Sequence, residues 1–366
     1  MIIKLSDVKI YNKDLECFET GDLFFENGIV CPKTNNFDQE INCMGNILIP
    51  GFRGCYGKHI PFLMEKLEDF KWNYSILSDI LCEYYFSNGY CSITQEIEDL
   101  EIAKELANRR LLFHFVVENV SLAKKIKKLG KANVKTSMKV LDVFEPDSSF
   151  DEVLNYALKE NLDIYASIFS NLEELGKQCS KQNKTAIQLA EKSGVLDGKI
   201  HLLNNIYLDK EDIVEGQNFD IEYLISPNDN LILGRGVEPV ATLNNLTAEI
   251  GFSQGETLIS LDMFEQMRMA IAEANSALLD NAALTPLDVL SFATKKKFPS
   301  LEVGDLANFL IIDSSKFLED KITICDLVLL TKSGDIIQNY VAGQIVYDRK
   351  NPALNNTIKN LKSRGN

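Results

Sequence analysis

The chain has 366 residues, 45% hydrophobic and 25% charged, ordinary values for a globular protein with room for one large domain and a smaller one. A formal net charge of −15 argues against nucleic acid or an anionic membrane surface as the main partner, since both need clustered Lys and Arg. The single basic run, from Lys124 to Lys128, is short and reads as a solvated helix face.

The N-terminus, Met1-Ile2-Ile3-Lys4-Leu5, alternates like a strand and lacks a charged-then-apolar leader pattern. No apolar run approaches the roughly 18–20 residues of a membrane span. The eight cysteines contain no Cys-x-x-Cys pair and read as free thiols of a reducing compartment, so a cytoplasmic location is expected.

Residues 1–48 are strand-like, with Asp22 to Val30 forming a hairpin that turns at Asn27-Gly28. Leu111 to Val117 fits a strand buried on both faces. Ser149 to Glu152 reads as a capping box opening a helix with Phe150, Val153, Leu154 and Ala157 on one side. Leu162 to Phe169 is a strand, Thr185 to Lys192 a helix that Gly194 can end, and Ile200 to Leu203 the next strand. Ile221 to Ile225 and Ala248 to Phe252 follow as strands, then a long amphipathic helix from Ser260 to Leu279. Thr285-Pro286-Leu287-Asp288 supplies an N-cap, a first-turn proline and an acidic third residue for another helix. Asn308 to Ile312, Leu327 to Leu330 and Ile336 to Val346 return to short β-rich runs, with turns at Ser333-Gly334 and Ala342-Gly343. Alternating strands and helices between two β regions predict a parallel barrel or a doubly wound sheet.

Several stretches, in order, resemble one family. Pro50-Gly51-Phe52 ends an apolar run, and Ser87 to Ser92 is similar to a Ser-Gly-Thr-Thr segment. His201-Leu202-Leu203 with Asp209 to Ile213 is similar to a His-Cys-Val-His-Leu stretch. Ser226 to Val240 follows an Asn-Pro-x-Ser-Asn-Leu pattern, and Ser260 to Arg268 a Leu-Asp-x-x-x-Glu-Met-Arg helix. Ser300 to Asn308 and Val341 to Tyr347 match a closing β segment. The chain thus resembles the amidohydrolase superfamily, in its deaminase and chlorohydrolase branch, over about residues 20–350. The resemblance implies a (β/α)8 TIM-like barrel over 49–296 and a composite β-sandwich of 1–48 with 297–350. Residues 351–366 are left as a tail or helix.

Hydrolysis in that family implies a divalent metal, Zn or Fe, that acidifies a water molecule. The implied ligands are a His-x-His pair after the first barrel strand, a further His, and an Asp in a Gly-Thr-Asp-Gly turn. Here Tyr56 and Lys58 stand at the first pair, and Gly251-Phe252-Ser253-Gln254 stands at the turn. The family's His-Leu-x-Glu-Thr segment falls on Ile164 to Ser170, which has no His. Of the chain's three histidines, His59, His114 and His201, the resemblance leaves only His201 at a metal-centre position, as the one candidate catalytic residue. A rebuilt zinc site from Cys55, His59 and His201 is the alternative.

Two readings of function follow. The first is a non-catalytic homologue without a metal cofactor, binding a small molecule or partner protein, with Tyr56, Lys58, Ser253 and Arg235 as ligand-binding residues. In it Lys58 replaces the metal's positive charge, and Arg235 clamps a carboxylate or phosphate between two glycines. The alternative is a hydrolase of non-peptide C–N bonds, such as an aminopurine or nucleoside deaminase, with one divalent Zn or Fe. The branch implied by the resemblance also leads to an expected homodimer.

Overall fold

Strand β1 (Ile2–Asn12) pairs antiparallel with β2 (Cys17–Glu26) and parallel with β4 (Gln39–Pro50). The turn from β2 to β3 (Ile29–Val30) falls on Asn27 and Gly28, with φ of 50° and 82°. Positive φ at both positions matches the twist of a tight hairpin. The computed structural model describes residues 1–351 except 69–71, 110, 141–142, 144–148, 168–175, 178, 182–183, 256–259 and 319–320. The tail read at 351–366 thus lies outside the described residues after 351.

From Phe52 onward the chain builds eight parallel strands in sequence order. They are β5 (Phe52–Arg53), β6 (Tyr90–Glu96), β7 (Leu112–Val117), β8 (Val134–Val140), β9 (Ile164–Ser167), β10 (Ile200–Leu203), β11 (Ile221–Ile225) and β12 (Glu249–Phe252). The last strand returns to the first through a parallel bridge between Gly57 and Gly255, so the sheet closes into a (β/α)8 barrel. Backbone bonds from Gln254 N–H to the Tyr56 carbonyl (2.6 Å) and from Lys58 N–H to the Gly255 carbonyl (3.0 Å) hold this seam. Gly255 must be glycine here: its φ is +71°, and a Cβ would sit 1.9 Å from a carboxylate oxygen of Asp229.

The connecting helices start where the sequence supplies caps. Thr185, Asp209 and Thr285 each form a reciprocal capping box, opening the helices Ala186–Lys192, Lys210–Gly216 and Pro286–Thr294. Two local expectations fail. Ser149 makes no side-chain cap bond at the start of the helix Phe150–Lys159. Leu327 to Leu330 is helical, within Ile324–Leu330, because Thr323 and Asp326 form a capping box that overrides the β preference of the apolar run.

The remaining strands β13 (Phe309–Ile312), β14 (Ile336–Val341) and β15 (Gln344–Asp348) join β1–β4 in a seven-stranded mixed sheet. Antiparallel pairing of β13 with β4 unites the two chain ends. Leu5, Leu23, Phe25, Leu48, Phe309 and Tyr340 form this unit's own buried core. Among the described residues no helix is long and apolar enough to cross a membrane.

Candidate functional site

Barrel proteins of this architecture carry their sites at the C-terminal ends of the strands. Tyr56 and Lys58 lie there, just past β5, as their spacing after Pro50-Gly51 predicts. Both turn toward Glu96, the last residue of β6, whose side chain is 1% exposed. The Tyr56 hydroxyl donates to Glu96, the Lys58 ammonium lies 2.6 Å from it, and Lys139 of β8 lies 2.7 Å from it. Lys58 also reaches Glu98 at 3.3 Å, and Lys139 reaches Glu118 at 3.1 Å. Burial pushes the Glu96 carboxyl up, but Lys139, Lys58 and Tyr56 outweigh it and hold the group below its ordinary value. Burial lowers Lys58 while Glu96 and Glu98 raise it further, so the ammonium stays charged.

A cavity of about 480 Å³ opens beside this cluster. Lys58, Glu96, Glu98 and Asp99 line its polar side; Ile60, Met64, Tyr74 and Ile102 belong to its lining as well. Its size is that of a small-molecule site.

Beneath the cluster, aromatic rings fill the barrel axis. Tyr56 stacks on Tyr165 at 5.9 Å, and Tyr165 stacks on His201 at 4.3 Å. His201 is the second residue of β10, and it meets Glu222, the second residue of β11. It therefore lies toward the N-terminal ends of the strands, below the mouth where Lys58 stands. Its Nε2 bonds Asp163 at 3.3 Å, and its Nδ1 lies 2.7 Å from Glu222. Arg53 pairs with the far side of Glu222, and Lys135 pairs with Asp163. Burial would raise both carboxyls, but His201 first, with Arg53 beside Glu222 and Lys135 beside Asp163, holds them far below the usual carboxylate range.

The other sequence candidates serve the scaffold or stand apart. Ser253 is buried and its hydroxyl accepts Gly255 N–H at 3.1 Å, within the seam that closes the barrel. His59 spends Nδ1 on the Tyr85 hydroxyl and Nε2 on the Gln254 carbonyl, both at 3.0 Å. His114 pairs with Ser137. Arg235 is exposed, between Gly234 and Gly236. Glu96, Lys139, Glu118, Arg53 and Glu222 were missed from the sequence. Their signal is a charged residue within or at the end of a buried strand, as in Ile221-Glu222-Tyr223-Leu224-Ile225.

This side-chain set does not fit a divalent metal. Among the described residues no group of three or more His, Cys, Asp or Glu side chains gathers as a metal site. At the two positions of the implied His-x-His pair stand a phenol bonded to Glu96 and a charged ammonium, and an ammonium repels a dication.

The fold and its polar mouth define a (β/α)8-barrel protein with an accessory sheet built from both chain ends. The chain belongs to the amidohydrolase family, whose model matches residues 75–346. It is similar to a 5'-deoxyadenosine deaminase of Methanobrevibacter smithii, 21% identical over 329 residues, 77% of this chain and 76% of the relative. It is also similar to a 5-methylthioadenosine/S-adenosylhomocysteine deaminase of Bacillus cytotoxicus, 24% identical over 176 residues. That match spans 45% of this chain but only 40% of the relative. Among solved structures, a zinc-bound adenosine deaminase of Xanthomonas campestris superposes with a TM-score of 0.80 at 13% identity, covering 100% of this chain and 98% of its own.

Proposed function

We propose that this chain is a small-molecule-binding member of the amidohydrolase family that does not use the family's metal-dependent chemistry. One observation carries the reading: Tyr56, Lys58 and Lys139 converge on Glu96 where a metal would need open donors. The cavity beside this cluster is the binding site in this reading; Lys58 and Glu96 belong to its wall, and Tyr56 holds Glu96 from behind.

A second reading, a hydrolase of C–N bonds such as a nucleoside deaminase, is favoured by the kinship itself, since the relatives matched in sequence are named as adenosine-type deaminases. One experiment separates the two. Chain purified without chelator is assayed for bound zinc and iron, then for ammonia release from 5'-deoxyadenosine with zinc added. The expected result is substoichiometric metal and no ammonia above the protein-free control. One metal per chain with metal-stimulated ammonia release would establish the second reading. Tyr56→His with Lys58→His should not restore activity, because the further His and the Asp of the implied ligand set are absent as well, Ile164 to Ser170 having no His and Gly251 to Gln254 no Asp.

A further inference from the structure

The charge around the mouth cavity is unbalanced. Among the described residues, Lys58 lines the cavity and Lys139 stands behind Glu96, and both are engaged by carboxylates. Against them stand four carboxylates: Glu96, Glu98, Asp99 and Glu118. Glu96 meets Tyr56 and Lys139 at Oε2 and Lys58 at Oε1, while among the described residues Glu98 has the longer 3.3 Å contact to Lys58, and its side chain is 64% exposed. Asp99 caps the helix Leu100–Ala107, accepting the Glu101 N–H at 2.7 Å and the Tyr74 hydroxyl at 2.7 Å, donors without formal charge. Across the same cavity lie the apolar side chains of Ile60, Met64 and Ile102. A pocket with an apolar wall and a net negative rim selects for charge of one sign.

Resting on the binding function proposed above, we infer that this cavity takes a small organic cation, a primary amine or amidine on an apolar body. Its charged end lies between Glu98 and Asp99 and its body lies against Met64 and Ile102. An anionic ligand, which Lys58 alone would suggest, meets an ammonium already neutralised and two carboxylates that repel it. The ring column of Tyr56, Tyr165 and His201 fills the barrel axis, so the ligand sits to the side, between the β5 and β6 ends.

The test uses the full chain and three probes of one shape, benzylamine, benzyl alcohol and benzoate, with binding read by calorimetry at neutral pH. Benzylamine should bind at least about tenfold more tightly than benzyl alcohol, and benzoate should not bind detectably. Glu98→Gln with Asp99→Asn should erase the amine preference while leaving benzyl alcohol unchanged; both replacements keep side-chain shape, and Asn still caps a helix. Met64→Trp, which fills the apolar wall, should remove all binding. Equal binding of amine and alcohol, or preference for benzoate, would overturn the cation assignment while the binding function stands. Amine binding unaltered by Met64→Trp, or no binding of any probe, would overturn the site itself. Zinc-stimulated ammonia release would instead sink the functional reading, whatever the probes do.

Discussion

Replacing His201 with alanine should lower the unfolding free energy by about 3–5 kcal/mol, measured by urea denaturation. The reason lies in what surrounds the ring. Glu222 is fully buried and is balanced by Arg53 on one side and His201 on the other. Removing the imidazole takes one of these partners away, frees Asp163 from its second partner, and leaves a cavity beneath Tyr165. A buried carboxylate stripped of a partner costs far more than its pair contributed, because the desolvation remains. Lys135→Ala provides the control at the exposed end of the same chain of contacts. That lysine is 59% exposed, and its loss should cost less than about 1 kcal/mol. Leucine at both 201 and 222 should not recover the loss, since it removes the carboxylate that pairs with Arg53 and leaves that guanidinium without its partner. An unchanged midpoint for His201→Ala would show that the network is not structural. A general base at the mouth would behave in the opposite way, losing activity at constant stability.

Much of the scaffold was legible because its signals are local. Asn27-Gly28 dictates the first hairpin, Thr285 to Asp288 starts a helix, and the runs 200–203 and 221–225 are strands at the bounds read from the sequence. The helix at Ile324–Leu330 was misread because a short apolar run has no period of its own, and the decisive cap lay before it. The site was legible only in part, for a different reason. Tyr56 and Lys58 follow from spacing after Pro50-Gly51, a short-range fact. Their partners Glu96 and Lys139 come from later strands, and only closure of the barrel brings them together. His201 shows what motif likeness leaves out: the resemblance marks the residue, but only strand register shows that it stands between Tyr165 and Glu222. A shift along a strand of two or three residues, about 7–10 Å, separates a ligand position from a core position.

Stability should be flat between about pH 4.5 and 6.5 and should fall on both sides, with a loss of roughly 2–3 kcal/mol from pH 6.5 to 8.5. The alkaline loss comes from two buried carboxyls. Burial pushes Glu238 up to about 7, against the pull of the Ser226 and Asn205 N–H groups. Glu273 is pushed up to about 8 by burial and then by the Glu238 charge. Both are protonated when folded and ionised when unfolded above pH 4.5, so folding binds extra protons, and stability falls as pH rises through the folded values. Between pH 4.5 and 6.5 two histidines act the other way. Burial lowers His59 to about 4 and His114 to about 3, so the unfolded chain takes up protons there that the folded chain refuses. The two effects nearly cancel, which produces the plateau. Below pH 4.5 the depressed values of Glu222 and Asp163 add to the loss, because their ionised pairing with His201 must be broken. The measurement is the urea midpoint at several pH values for the wild type and for Glu273→Gln. The variant should lose most of the decline above pH 6.5, since the amide has no proton to release. Because Glu238 accepts N–H groups at the ends of β10 and β11, at 3.2 Å and 2.8 Å, its ionisation bears on the barrel mouth directly. A wild-type midpoint that stays level from pH 6.5 to 8.5 would mean that neither carboxyl holds its proton in the folded chain.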